Sequence, residues 1–207
     1  MGIKQEMDGK KVGILTFHNG FNCGAFLQAF ALQEVTETLG FKPQIIDYKA
    51  LHHSFFEYRF LFFTKRFRIF FGNIKKVIKF KQAHRLFNLS RSANKITDLS
   101  DLKYDAVIYG SDEIWNYSNS IVKIDPAYFG IGIQAETKIA YAPSSGSLDR
   151  AIEVPFDLQQ GWKSFSSISV RDINTKRLVE RYVSKPIDIV LDPTFLVNFS
   201  SYEKPCH

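Results

Sequence analysis

The side chains with chemistry to offer sit in short polar runs, each directly after an apolar, β-rich run. His18-Asn-Gly-Phe-Asn-Cys-Gly24 follows Lys11–Phe17, Gly110-Ser-Asp112 closes Tyr104–Gly110, Pro143-Ser-Ser-Gly146 follows Lys138–Ala142, and Arg171 follows Ser167–Val170. Open parallel sheets bind ligands beyond the carboxyl ends of their strands. The first run also leads into a helix start, where free N–H groups and the positive dipole end favour an anion. Turn and cap duty is the competing reading of all these small polar residues. Asp112 is a candidate general acid or base, or an N-cap for the segment holding Trp115. Arg171 is a candidate clamp on a carboxylate or phosphate, or the partner of Asp172 or another surface acid in an ordinary ion pair. His18 reads as a hydrogen-bonded loop residue. Cys23 lies where a thiolate would be favoured, but no base partner is near in sequence, and it reads as a small packing residue.

Positioning such residues requires an α/β scaffold. Lys11–Phe17 reads as a buried strand. A helix over Ala25–Leu39 follows, with Leu27, Ala31, Val35 and Leu39 as its apolar stripe, widened by Phe30 and Leu32, Asn22 as N-cap and Gly40 as its stop. Pro43–Tyr48 is the next strand, which makes a right-handed βαβ unit. Later strands are read over Tyr104–Gly110, Lys138–Ala142, Ser167–Val170 and Ile187–Leu191. Helices are read over Pro155–Phe165 and over Thr175–Val183, the latter capped by Asn174. The fold class is therefore α/β: a Rossmann-like parallel sheet flanked by helices, as one domain over residues 1–207.

Residues 52–92 interrupt this rhythm. They hold ten cations against one acid, Glu57, a local net charge of +9 in a chain of net +6, and ten of the 20 phenylalanines. The segment reads as a basic, Phe-rich helical insertion. An RNA or an anionic membrane surface is one reading of it. The simpler expectation is that the phenylalanines are buried while Lys and Arg form a solvated face. A basic lining beside an anionic substrate lies between the two.

Composition and missing motifs exclude much. An apolar content of 45% excludes disorder as the main state. Two cysteines exclude a disulfide scaffold, and without a CxxC pair or spaced histidines no metal site is expected. GxxxxGK[ST], HExxH, GxSxG and a complete GxGxxG are all absent. The polar start is no secretory signal. Phe60–Phe71 is broken by Lys65, Arg66 and Arg68 and is too short to span a bilayer. The expected compartment is a reducing cytoplasm, with no transmembrane segment.

Taken together, five motifs resemble the polysaccharide pyruvyl transferase family. They are Asn22-Cys-Gly-Ala-Phe-Leu-Gln-Ala-Phe-Ala-Leu-Gln33 followed by Ile45-Ile-Asp-Tyr48, Tyr104-Asp-Ala-Val-Ile-Tyr-Gly-Ser-Asp-Glu-Ile-Trp-Asn116, Ala140-Tyr-Ala-Pro-Ser-Ser-Gly146, Ile168-Ser-Val-Arg-Asp172 and Val190-Leu-Asp-Pro-Thr194. Cys23 stands where the family has an aromatic residue, and Glu113 where it has Gln. The resemblance implies a GT-B-type architecture of two Rossmann-like halves, of which this chain is similar to the N-terminal one. Residues 193–207 would then be a truncated lead into a second domain. It also implies transfer of a pyruvyl group from phosphoenolpyruvate to a sugar of a cell-surface or exported polysaccharide, as a ketal, with no cofactor beyond that donor.

By motif match, Asp112 and Arg171 are the expected catalytic residues. Asn22, Gly24, Gln28, Ser111, Trp115, Ser144, Ser145 and Gly146 are the expected substrate-binding ones, Trp115 either stacking on a sugar or packing in the core. The implied partners are phosphoenolpyruvate and a sugar or lipid-linked glycan acceptor, with a second-half polypeptide or another copy of the chain as a further partner and no nucleic acid. The alternative is a non-catalytic half-domain that binds a glycan or nucleotide-sugar and needs a separate second half.

Overall fold

A computed structural model describes residues 9–51, 55, 59, 61–63, 67–118, 124–149 and 151–202. Its centre is a six-stranded sheet with every neighbouring pair parallel. The strands are β1 (Lys11–Leu15), β2 (Lys42–Ile45), β3 (Lys103–Tyr109), β4 (Gln134–Tyr141), β5 (Ser167–Val170) and β6 (Ile187–Ile189), in the spatial order β2-β1-β3-β4-β5-β6. Among the described residues four α-helices are delimited: α1 (Cys23–Thr38), α2 (Phe67–Ala83), α3 (Phe156–Lys163) and α4 (Ile173–Val179). This is the expected Rossmann-like α/β class. Sequence order reverses between β1 and β3, and that is the position where doubly wound sheets open a binding crevice.

Side chains alternate between the two faces of a strand, so neighbouring residues feed opposite layers. Leu15, Ile46, Val107 and Tyr109 join a core built around Trp115, Trp162, Phe129 and Phe165. Ile14 and Ile45 join Ala29, Phe30, Leu32 and Phe87 on the α1 side. Helix α1 departs from its expected stripe. Leu27 and Leu39 are exposed and Ala25, Gln28, Ala29 and Thr36 are buried instead, while Phe30, Ala31 and Leu32 are buried as expected. The Pro193–Leu196 turn packs on α1, Tyr202 meets Phe30 edge to face at 5.2 Å and Phe199 lies tilted to it at 6.5 Å. The helix thus has two covered sides, which a one-stripe reading cannot anticipate.

Two other expectations are corrected. Helix α4 begins at Ile173 and is capped by Asp172, whose carboxylate accepts from the Thr175 amide at 2.8 Å; Asn174 lies inside the helix. The insertion is helical where described, but α2 contains no buried residue, so its phenylalanines are not core. Residues 52–54, 56–58, 60 and 64–66 of the insertion lie outside the described residues. Its returning end runs along the free edge of β2, with Ile45 N–H donating to Asn88 O and Ser90 N–H to Ile45 O, each at 2.8 Å. Pairing this edge removes a template for unwanted strand addition.

Candidate functional site

Register brings the polar runs to one edge. Leu15 lies opposite Tyr109, Tyr109 opposite Ala140, and Tyr141 opposite Ser169, so the residues that follow β1, β3, β4 and β5 emerge side by side. At the switch point the β1 and β3 loops are stitched by one side chain. The Gln28 amide nitrogen donates to Thr16 Oγ1 at 2.9 Å, Phe17 O at 3.1 Å and Ala25 O at 2.8 Å. Its oxygen accepts from the Ser111 amide and hydroxyl, both at 3.2 Å. Thr16 Oγ1 in turn donates to Ser111 O at 3.2 Å. Gln28 and Ser111 are both buried, and Gln28 carries hydrogen bonds at both ends of its amide. Their role in the structure is to hold the two loops in place.

Asn22 caps α1, its Oδ1 accepting from Gly24 N at 2.8 Å and Ala25 N at 3.4 Å. Asn22, Cys23 and Gly24 are exposed, so the amino end of α1 opens to solvent beside the switch point. No acidic side chain occupies its first turn, which leaves the positive end of the helix free to meet an anion.

Gly110 has φ +117°, and a Cβ there would collide with the Tyr141 carbonyl oxygen. Asp112 follows with φ 70°. No helix follows it, and its carboxylate accepts from the adjacent Glu113 amide at 2.8 Å, so the N-cap reading of Asp112 does not hold. Burial pushes the Asp112 carboxyl up from the ordinary carboxylate value, against the lowering effects of the Glu113 amide and of Arg171. A carboxyl so placed keeps its proton to a higher pH than a surface Asp and suits a general acid.

The β4 loop is held from α4. Ser144 Oγ donates to Asp172 Oδ2 at 2.7 Å and accepts from Gly146 N at 2.9 Å. Ser145 N donates to Thr175 Oγ1 at 2.8 Å. Both serines are buried. The Glu113 carboxylate lies over Gly146, within 2.5 Å of where a Cβ would stand. Burial works to raise the pKa of Asp172, but donation from Thr175, Ser144 and the Asn174 amide holds it below the ordinary value.

Arg171 pairs with Asp192, Nη1 to Oδ2 at 3.0 Å, and not with Asp172, which is committed to its cap. Its side chain remains 31% exposed, and Asp192 engages the guanidinium through Nη1. Asp192 also accepts from Thr194 N and Oγ1 at 3.0 and 2.8 Å and from Ser111 Oγ at 3.4 Å. Through it, the loops after β3, β5 and β6 meet.

Trp115 is a core residue. It is fully buried, its indole N–H donates to Tyr128 O at 3.0 Å, and Trp162, Phe129 and Phe165 surround its ring. It offers no face to a sugar. His18 is buried too, its ring nitrogens 3.2 Å from Thr16 O and from Asp47 Oδ1. That contact, more than the opposing effect of burial, holds the Asp47 carboxyl below its ordinary value.

The structure thus gathers Gln28, Ser111, Asp112, Ser144 and Arg171 along one edge and removes Trp115 from it. Thr16, Asp47, Thr175 and Asp192 were not singled out from sequence. Asp47 and Asp192 lie inside quoted motifs, and Asp-Pro-Thr194 carried a readable turn signal; Thr16 and Thr175 carried none. A depression of about 540 Å³ lined by Lys11, Lys103, Tyr104 and Gln134 lies at the opposite, amino-terminal edge of the sheet. The carboxyl edge is the better candidate, because strand order reverses there and the polar loops converge. Among the described residues, no group of three His, Cys, Asp or Glu is arranged to hold a metal ion.

A six-stranded parallel sheet with its polar loops gathered at the switch point defines a Rossmann-like α/β protein. The family model for polysaccharide pyruvyl transferase matches residues 22–206, and the chain belongs to that family. No curated protein and no solved structure matches the chain.

Proposed function

We propose that the chain carries the donor side of a pyruvyl transferase that moves a pyruvyl group from phosphoenolpyruvate to two hydroxyls of a sugar. The observation that carries this reading is the junction of Gln28, Ser111, Asp112, Arg171 and Asp192 at the switch point, beside the open amino end of α1. The family membership supports it at the coarser level of a transferase.

In the proposed reaction the amino end of α1 and the Arg171 guanidinium hold the donor phosphate and carboxylate. Protonated Asp112 delivers its proton to the donor methylene carbon, which becomes a methyl group. The central carbon develops oxocarbenium character and is stabilised by the fixed donors around it. Two sugar hydroxyls add to that carbon and the phosphate leaves. One hydroxyl proton restores Asp112 and the other departs on the phosphate, so the exchange balances. A second wall, from another domain or polypeptide, would exclude water from the cleft.

Calorimetric titration with phosphoenolpyruvate tests the donor half. The chain is expected to bind it, and Arg171→Leu to weaken binding about tenfold, the value of one charge-assisted contact. Phosphate release in the presence of a sugar with two neighbouring free hydroxyls, together with a ketal product, tests the transfer. A chain that binds no donor under any of these conditions would overturn the reading.

A further inference from the structure

We propose that helix α2 docks the protein onto an anionic lipid surface. The helix carries two faces of different use. Phe70, Asn73, Ile74, Val77, Phe80 and His84 are half-buried and follow one side of it. That side is tied to the body at its carboxyl end: Phe80 meets Phe21 edge to face at 6.0 Å, and His84 Nε2 lies 3.0 Å from His18 O. Phe67, Phe71 and Ile78 fall at i, i+4 and i+11, on a neighbouring strip of the cylinder. They are 80%, 60% and 50% exposed.

Arg68, Lys75 and Lys79 repeat at i, i+7 and i+11 and border this strip. The whole helix holds five cations and no acid, inside a segment of net +9. An apolar strip rimmed by cations, on a helix with nothing buried, matches the pattern of helices that lie in the membrane interface. Among the described residues no helix is long and apolar enough to cross a membrane, so the contact is peripheral.

Charge selects the occupant. A second copy would bring the same positive face and be repelled. An RNA would satisfy the cations and stack bases on Phe67 and Phe71 but would give Ile78 no apolar phase to enter. An anionic bilayer satisfies both, with the rings at the headgroup boundary and the cations on the headgroups. Because α2 ends against the loop after β1, docking would hold the candidate site close to the lipid surface. The inference rests on the exposed strip and its charge alone, and stands or falls apart from the transfer reading.

Flotation of the full chain with vesicles of equal parts phosphatidylcholine and phosphatidylglycerol tests it, against vesicles of phosphatidylcholine alone. The chain is expected to float with the anionic vesicles and to be released as salt rises from about 50 mM to about 500 mM. Phe67→Ser/Phe71→Ser/Ile78→Ser is expected to lower binding by about tenfold or more. Lys75→Gln/Lys79→Gln is expected to weaken it about fivefold per cation removed. Both variants alter exposed residues, and unchanged tryptophan fluorescence confirms their folding. No flotation with anionic vesicles overturns the proposal, as does flotation unchanged in both variants. Binding to a single-stranded RNA oligonucleotide, or self-association through the strip, without vesicle binding would overturn it in favour of those occupants.

Discussion

Gln28 shows how a motif residue serves a site without facing a ligand. Its amide joins Thr16, Phe17 and Ala25 on one side to Ser111 on the other. Gln28→Ala leaves the buried Ser111 amide without this acceptor, so a loss of about 2–3 kcal/mol is expected in urea unfolding. Gly110 is more demanding. Its φ of +117° and the Tyr141 carbonyl facing the missing Cβ combine strain and collision. Gly110→Ala is therefore expected to cost at least about 3 kcal/mol, or to yield no soluble folded chain; a midpoint equal to that of the unaltered protein would refute the strain argument. Asn22, Ser111 and Asp112 were legible as polar residues after strands. Asp192 was not legible as the partner of Arg171, because the nearer Asp172 was the simpler partner, and nothing in the order of residues shows that Asp172 is spent on its cap.

At the scale of elements, Asp172 has two tasks. It caps α4 through Thr175 and anchors the β4 loop through Ser144. Asp172→Ala is expected to lower stability by about 1–2 kcal/mol, with the cap loss the larger part. The acid side of the stability profile follows from the same contacts. Asp47, Asp172 and Asp192 all have folded pKa values below the ordinary 3.8. A carboxylate so lowered contributes stability that is fully present above the unfolded value and lost as pH falls through the folded one. Thermal midpoints are thus expected to drop as pH falls below about 4, with a shallower drop in Asp172→Asn. Helix α2 forms as expected but departs from the expected burial. Phenylalanine content suggested burial, but an amphipathic helix can satisfy the same composition while presenting its rings outward.

At the scale of the whole molecule, the reversal of strand order between β1 and β3 makes the candidate site. If Asp112 supplies the proton in transfer, Asp112→Asn is expected to lower phosphate release from phosphoenolpyruvate by about a hundredfold or more while leaving donor affinity within a few fold. Equal losses in affinity and rate would instead mark Asp112 as a binding residue. The order of residues is enough for the α/β class, the polar runs after the strands, Gly40 as a helix stop and the charge of the insertion. These follow from local periodicity, turn chemistry and composition, which neighbours along the chain encode. Packing alone makes Trp115 core, stretches Gln28 across two loops, turns Arg171 to Asp192 and leaves Phe67 and Phe71 of α2 exposed. Each of those depends on residues far apart in the chain meeting across the sheet edge, and burial at such a meeting is a property of the packed whole.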